Sequence, residues 1–277
     1  MSNLDEAWEG ERLLSIAGVG VRLRLGAPDL AEAVDTRTAV YQCHAQPPGT
    51  YDLTVAQGAR GTVDDAMRQS FSRVTPTSFR LNREEHLAGA LSLADRSGQV
   101  SLAANRFAVD SLLRLLLNLE LPRVGGSLIH AAGVVWGDQA LVFPGVSGAG
   151  KSTLAANVGG EPLLTDEMVA VRPVDGAWRA FGTPFHGDLE ITPQAVDRPL
   201  RAIVFPDRSL PTGMAPLSRG AAAGRLMETL VNYGDDPATD RLLLDVAVEL
   251  ATDVPCFTLS YRKTDPVRPL IQAGLDP

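Results

Sequence analysis

Gly145-Val146-Ser147-Gly148-Ala149-Gly150-Lys151-Ser152 is the segment whose residue types and spacing most constrain chemistry, since it fits the pattern G-x-x-x-x-G-K-[ST]. A phosphate group is held by consecutive backbone N–H groups pointing into one concavity. That needs glycine wherever φ is positive or an oxygen comes close to the main chain. Gly145, Gly148 and Gly150 supply that freedom, and a helix opening at Lys151 would add its N-terminal dipole and unbonded N–H groups. The spacing predicts a cradle from Gly145 to Thr153 for a nucleoside triphosphate, read as Mg·ATP. Lys151 is expected on the β and γ oxygens and the Ser152 hydroxyl on Mg²⁺. The apolar run Ala140–Phe143 leads straight into the loop, which is the strand–loop–helix setting this mechanism requires.

A phosphate loop alone can bind, hydrolyse or transfer, so acids elsewhere decide the chemistry. Leu163-Leu164-Thr165-Asp166-Glu167 ends a short apolar run on two carboxylates, where a metal-holding or catalytic acid belongs in such a protein. The bland alternative is a solvated turn. His130 interrupts the otherwise apolar run Leu128–Trp136 and, taken alone, reads as a hydrogen-bonded core histidine. The Gly-Pro-containing stretch from Gly182 to Glu190 marks a loop. Its His186, Asp188 and Glu190 face metal or acceptor, or form an ordered turn with solvated acids.

His130, a hairpin running into Gly145–Ser152, and then Thr165-Asp166-Glu167 together resemble the catalytic domain of the HPr kinase/phosphorylase family and its HPr-kinase-like relatives, a group that also includes ATP-dependent phosphoenolpyruvate carboxykinase. The resemblance is specific over 127–173, looser beyond, and does not reach the N-terminal part. It implies that Asp166 takes the proton of a serine hydroxyl, that Ser152 and Glu167 hold metal with Asp166 beside them, and that His130 lies close to the catalytic acid. The Gly182–Glu190 stretch resembles a recurrent block of the relatives. Two features depart from the pattern: Glu167 stands where the family typically has Asp, and the arginine-bearing signature and flexible basic loop of true HPr kinases are absent.

The elements that must position these residues are an α/β arrangement with hairpins on both sides of the phosphate loop, the core type that the resemblance implies. Leu128–Trp136 and Gln139–Phe143 flank Gly137-Asp138, and Met168–Pro173 and Trp178–Gly182 flank Asp175-Gly176. Lys151–Val158 is a short helix stopped by Gly159-Gly160. Farther on, Leu200–Phe205 and Pro255–Tyr261 read as strands, and Ala221–Val231, Thr239–Ala251 and Val267–Ala273 as helices. Residues 106–277 are thereby expected to form the nucleotide-binding catalytic domain, entered through the leucine-dense helix 107–121. Residues 1–105, with short apolar runs such as Leu13–Val19, Val21–Leu25 and Tyr51–Val55 between turn signals, read as a β-rich module for acceptor or partner recognition.

Composition sets the outer limits. At 45% hydrophobic and 21% charged residues, the 277-residue chain falls with folded globular proteins rather than disordered ones. A net charge of -8 argues against a protein that coats nucleic acid. Met1–Glu11 lacks an apolar signal region and no long apolar run follows, so a cytoplasmic protein without membrane partners is expected; homo-oligomerisation is left open. Cys43 and Cys256 make no disulfide framework or zinc cluster. The leading expectation is an enzyme, a kinase moving the γ-phosphoryl group of ATP to a serine-like hydroxyl on a peptide, protein or small molecule. The competing readings are a nucleotide-binding accessory module without transfer, and an ATPase.

Overall fold

Alternating burial along Val19–Leu25 and Tyr51–Gln57, with every second side chain inside, is what strands with one covered face produce. In the computed structural model, which describes residues 10–58, 70–83, 86–146, 148–158, 162–187, 194–207, 211–234, 236–262 and 264–276, these runs belong to the first of two units, Met1–Glu120 with Asn232–Thr239. Its strands are β1 (Gly10–Ile16), β2 (Val19–Leu25), β3 (Tyr51–Gln57), β4 (Ser70–Thr75), β5 (Ser78–Arg83), β6 (Leu87–Ser92) and β7 (Ser97–Leu102). They form one sheet in the order β1-β2-β3-β7-β6-β5-β4, with β2, β3 and β7 parallel and the other pairs antiparallel.

One feature of this unit differs from the sequence expectation. The run Leu13–Val19 is broken at Ala17-Gly18, where φ values of 50° and 78° form the tight hairpin turn. The unit also contains two helices, α1 (Pro28–Thr38) and α2 (Arg106–Glu120). The unit runs through α2 to Glu120, and α2 is tied to other elements of it. Arg37 of α1 donates two 2.5 Å hydrogen bonds to buried Asp110 of α2, and the Tyr51 hydroxyl donates to Glu120 at 2.7 Å.

The second unit comprises Leu121–Val231 and Asp240–Pro277. Its strands are β8 (Ser127–Trp136), β9 (Gln139–Pro144), β10 (Leu163–Thr165), β11 (Met168–Val174), β12 (Ala177–Phe181), β13 (Asp197–Asp207), β14 (Gly213–Pro216) and β15 (Cys256–Ser260), all in one eight-stranded sheet. The helices are α3 (Lys151–Val158), α4 (Arg219–Met227), α5 (Pro237–Asp253, in this unit from Asp240 on) and α6 (Val267–Leu275). Both predicted hairpins are present, as β8–β9 and β11–β12. β9, β13 and β15 run parallel, β13 in the middle. Leu154, Ala155 and Val158 of α3 pack with Val267 and Ile271 of α6 on one sheet face, and α4 and α5 bury Ala222, Leu226, Val246 and Leu250 on the other. The unit is thus a mixed α/β layer structure with helices on both faces. No helix among the described residues is long and apolar enough to cross a membrane.

Candidate functional site

The site is organised around residues 130–131, halfway along β8. On one edge, β9 ends at Pro144 opposite Ala131, and the Gly145 N–H donates to the His130 carbonyl at 3.1 Å. On the other edge, the Ala131 N–H donates to the Glu167 carbonyl at 3.1 Å and Met168 stands opposite His130. The start of the glycine-rich loop and the acidic pair thus flank the same two residues. Two strand spacings place their backbones about 10 Å apart. The strand leading into the acids, β10, does not lie directly beside β9, the strand before the glycine-rich loop. β10 pairs antiparallel with β8, so β8 separates it from β9. The ten residues of β8 give β9 one edge and leave the other to β10 and β11 in succession, with Asp166-Glu167 at the break between them.

The loop has the backbone its glycines permit. Gly148 and Gly150 have φ of 79° and 95°, and the Ala149 N–H donates to the Val146 carbonyl at 3.1 Å. A Cβ at Gly145 would come within 2.8 Å of the Ala149 Cβ, so a side chain there would push into the loop. Lys151 opens α3 and is only 7% exposed, with Nζ donating to the Val146 carbonyl at 3.1 Å. Burial pushes its pKa down, and the charges of Glu167 and then Asp166 pull it partly back. Among the described residues this ammonium makes no ion pair, so its one hydrogen-bond partner is a neutral carbonyl. A desolvated cation at a helix N-terminus, beside a loop of positive-φ glycines, suits a phosphate. Ser152 and Thr153 follow in the first turn of α3, half-buried, and Val146 is exposed. Ser147 lies outside the described residues.

Asp166 is held by the segment that leaves β12. Its Oδ1 accepts the Gly187 N–H at 2.8 Å, and the residue is 3% exposed. The Thr165 hydroxyl donates to the Phe185 carbonyl, and the Thr183 hydroxyl donates to the Met168 carbonyl at 2.5 Å. Thr165, Thr183 and Phe185 are all buried, so the 183–187 segment is fastened to both sides of the acidic pair. Sequence reasoning missed this clamp, although Thr165 immediately before the acids and Thr183 before Pro184 were the available signals. Glu167 is half-buried. Ile129 and Ala131 turn to the α4/α5 face, so His130 between them projects to the α3 face, one strand from the acids. His186 is half-buried within the clamp, whereas Asp188 and Glu190 lie outside the described residues.

Tyr261 is a second residue the sequence reading left without a role. It follows β15, and its hydroxyl donates to the Gly150 carbonyl at 3.2 Å, which joins it to the last glycine of the loop.

No protein-family model and no curated protein matches this chain. Among solved structures, it aligns with the Hpr(Ser) kinase/phosphatase from Coxiella burnetii at 10% identity and a TM-score of 0.35, covering 53% of this chain and 87% of that one. A likeness of this strength does not define a shared fold.

Proposed function

We propose that the chain is an ATP-dependent kinase that transfers the γ-phosphoryl group to a hydroxyl on a peptide, protein or small molecule. The observation that carries this reading is the pairing across β8: a buried Lys151 at the phosphate loop on one edge, and Asp166-Glu167, whose charges it feels, on the other. Phosphoryl transfer chiefly needs alignment and charge neutralisation. Gly145 to Thr153 cradle the phosphates in this reading. Lys151 binds the β and γ oxygens as a point charge, while Ser152, Glu167 and Asp166 would hold Mg²⁺, which supplies further neutralisation of the triphosphate.

Asp166 is the general base. Its carboxylate accepts the acceptor's proton as the hydroxyl oxygen bonds to the γ-phosphorus, the bond to the β–γ bridging oxygen breaks, and ADP leaves. The Gly187 N–H fixes one carboxylate oxygen and so sets the orientation of the other. His130, close by on β8, assists as a positioning residue.

The decisive experiment follows label from γ-labelled ATP into acceptors in a lysate. Asp166→Asn keeps size and removes the base, so ATP affinity stays within a few fold while transfer falls by about 10²–10⁴. Near-normal transfer by this variant rejects the base assignment. Tight Mg·ATP binding with no transfer to any acceptor favours an accessory nucleotide-binding module instead.

A further inference from the structure

The phosphate-loop strand β9 has a different neighbour on each edge. Beyond β8 lie Asp166 and Glu167; beyond β13 lies β15. If the phosphate loop binds a nucleoside triphosphate, as proposed above, its γ end belongs on the acidic side, where Glu167 and Asp166 already act on Lys151. The nucleoside end then leaves over the opposite edge. There β9, β13 and β15 are parallel, and the carboxyl ends of parallel strands in an α/β sheet form the crevice where ligands settle.

We infer that the nucleoside rests over the carboxyl ends of β13 and β15, with the Tyr261 ring as its platform. Tyr261 is half-buried, packs against the α3/α6 core, and its hydroxyl reaches the Gly150 carbonyl at 3.2 Å, so its ring stands beside the cradle. Arg262 and Asp265, which follow, are tied to each other and to Thr212. Arg262 N–H and the Thr212 hydroxyl donate to Asp265 Oδ2 at 2.8 and 2.9 Å, and Asp265 N–H donates to the Arg262 carbonyl at 2.9 Å. Ser260 and Asp207, in register at the same level, turn to the opposite sheet face, where Asp207 pairs with Arg225 at 3.8 Å, so the platform acts through its ring alone. A flat ring offers a π-face to any base.

Titration calorimetry on the full chain, with Mg·ATP and with Mg·tripolyphosphate, separates the nucleoside from the phosphates. The wild type is expected to prefer Mg·ATP. Tyr261→Ala should lose about 10- to 100-fold in Mg·ATP affinity, the usual worth of a stacked base, with tripolyphosphate affinity held within a few fold. Tyr261→Phe keeps the ring and should retain the preference for ATP. Equal losses for both ligands in Tyr261→Ala mean that the residue only braces the loop, and overturn the inference, as does a wild type that binds both ligands alike. If the wild type binds neither ligand, the phosphate-loop reading itself falls and the subsite falls with it.

Discussion

At the scale of single residues, Lys151 joins structure to pH dependence. Its pKa is lowered by burial, so between that value and the ordinary lysine value the folded, ligand-free protein lacks a proton that the unfolded chain holds. Stability therefore rises with pH across that window, and the charged lysine below it is a cost that a phosphate bound there, as proposed, would relieve. Mg·ATP should bind with proton uptake in the window, and its affinity should fall as pH rises through the lowered pKa. Calorimetry in buffers of different ionisation heat reads the uptake directly. Lys151→Ala should bind Mg·ATP severely more weakly while keeping its thermal midpoint, because the removed cation was desolvated; unchanged affinity would exclude the cradle. Gly187 carries a second prediction. A Cβ there would stand 3.4 Å from Asp166 Oδ2, in ordinary contact and without a strained φ. Gly187→Ala should fold and bind Mg·ATP normally, yet slow transfer by screening that oxygen from the acceptor. A rate equal to wild type would show that the acceptor comes from another side.

At the scale of elements, the parts nearest the glycine-rich loop were legible because each carries a local signal. Gly137-Asp138 and Asp175-Gly176 punctuate the two hairpins, and the glycine pattern sits between the β9 strand and the α3 helix. What escaped was pairing. Nothing in Leu163-Leu164-Thr165 says that this strand joins β8 rather than β9, since edge choice depends on the length of β8 and on long-range contacts. Helix α1 also escaped, because Asp29, Glu32 and Asp35 interleave with small residues and dilute its apolar stripe, although Pro28 at its start was a usable sign. Its partnership with α2 rests on a buried charge pair that no local pattern announces. Arg37 and Asp110 are 6% exposed each, and losing one partner of such a pair strands the other. Asp110→Ala should destabilise the protein by about 3–5 kcal/mol, measured by urea unfolding. A loss below about 1 kcal/mol would mean that Arg37 finds other acceptors.

At the scale of the whole molecule, chain connectivity sets what can be cut. The chain passes from the first unit to the second after Glu120, returns for Asn232–Thr239, and enters the second again at Asp240. The returning segment is bonded within the first unit. Asp236 accepts from Arg73 through both carboxylate oxygens, caps the start of α5 through the Thr239 N–H at 3.0 Å, and takes the Thr239 hydroxyl at 2.6 Å. These bonds, the Arg73 pair foremost, hold the Asp236 carboxyl well below the usual carboxylate range. Its contribution to stability is therefore complete above the unfolded-state value and is lost as pH falls through the depressed one. The thermal midpoints of wild type and Asp236→Asn should differ most near neutral pH and converge in acid. A constant gap would assign the loss to packing rather than charge. The same bonds bear on a fragment beginning at Leu121, which keeps Asp236 but leaves Arg73 behind. That fragment should melt at a lower temperature than the intact chain, and adding Asp236→Asn should cost it less than the same change costs the full protein. An undiminished cost in the fragment would mean that the α5 cap, not the Arg73 pair, is what Asp236 provides.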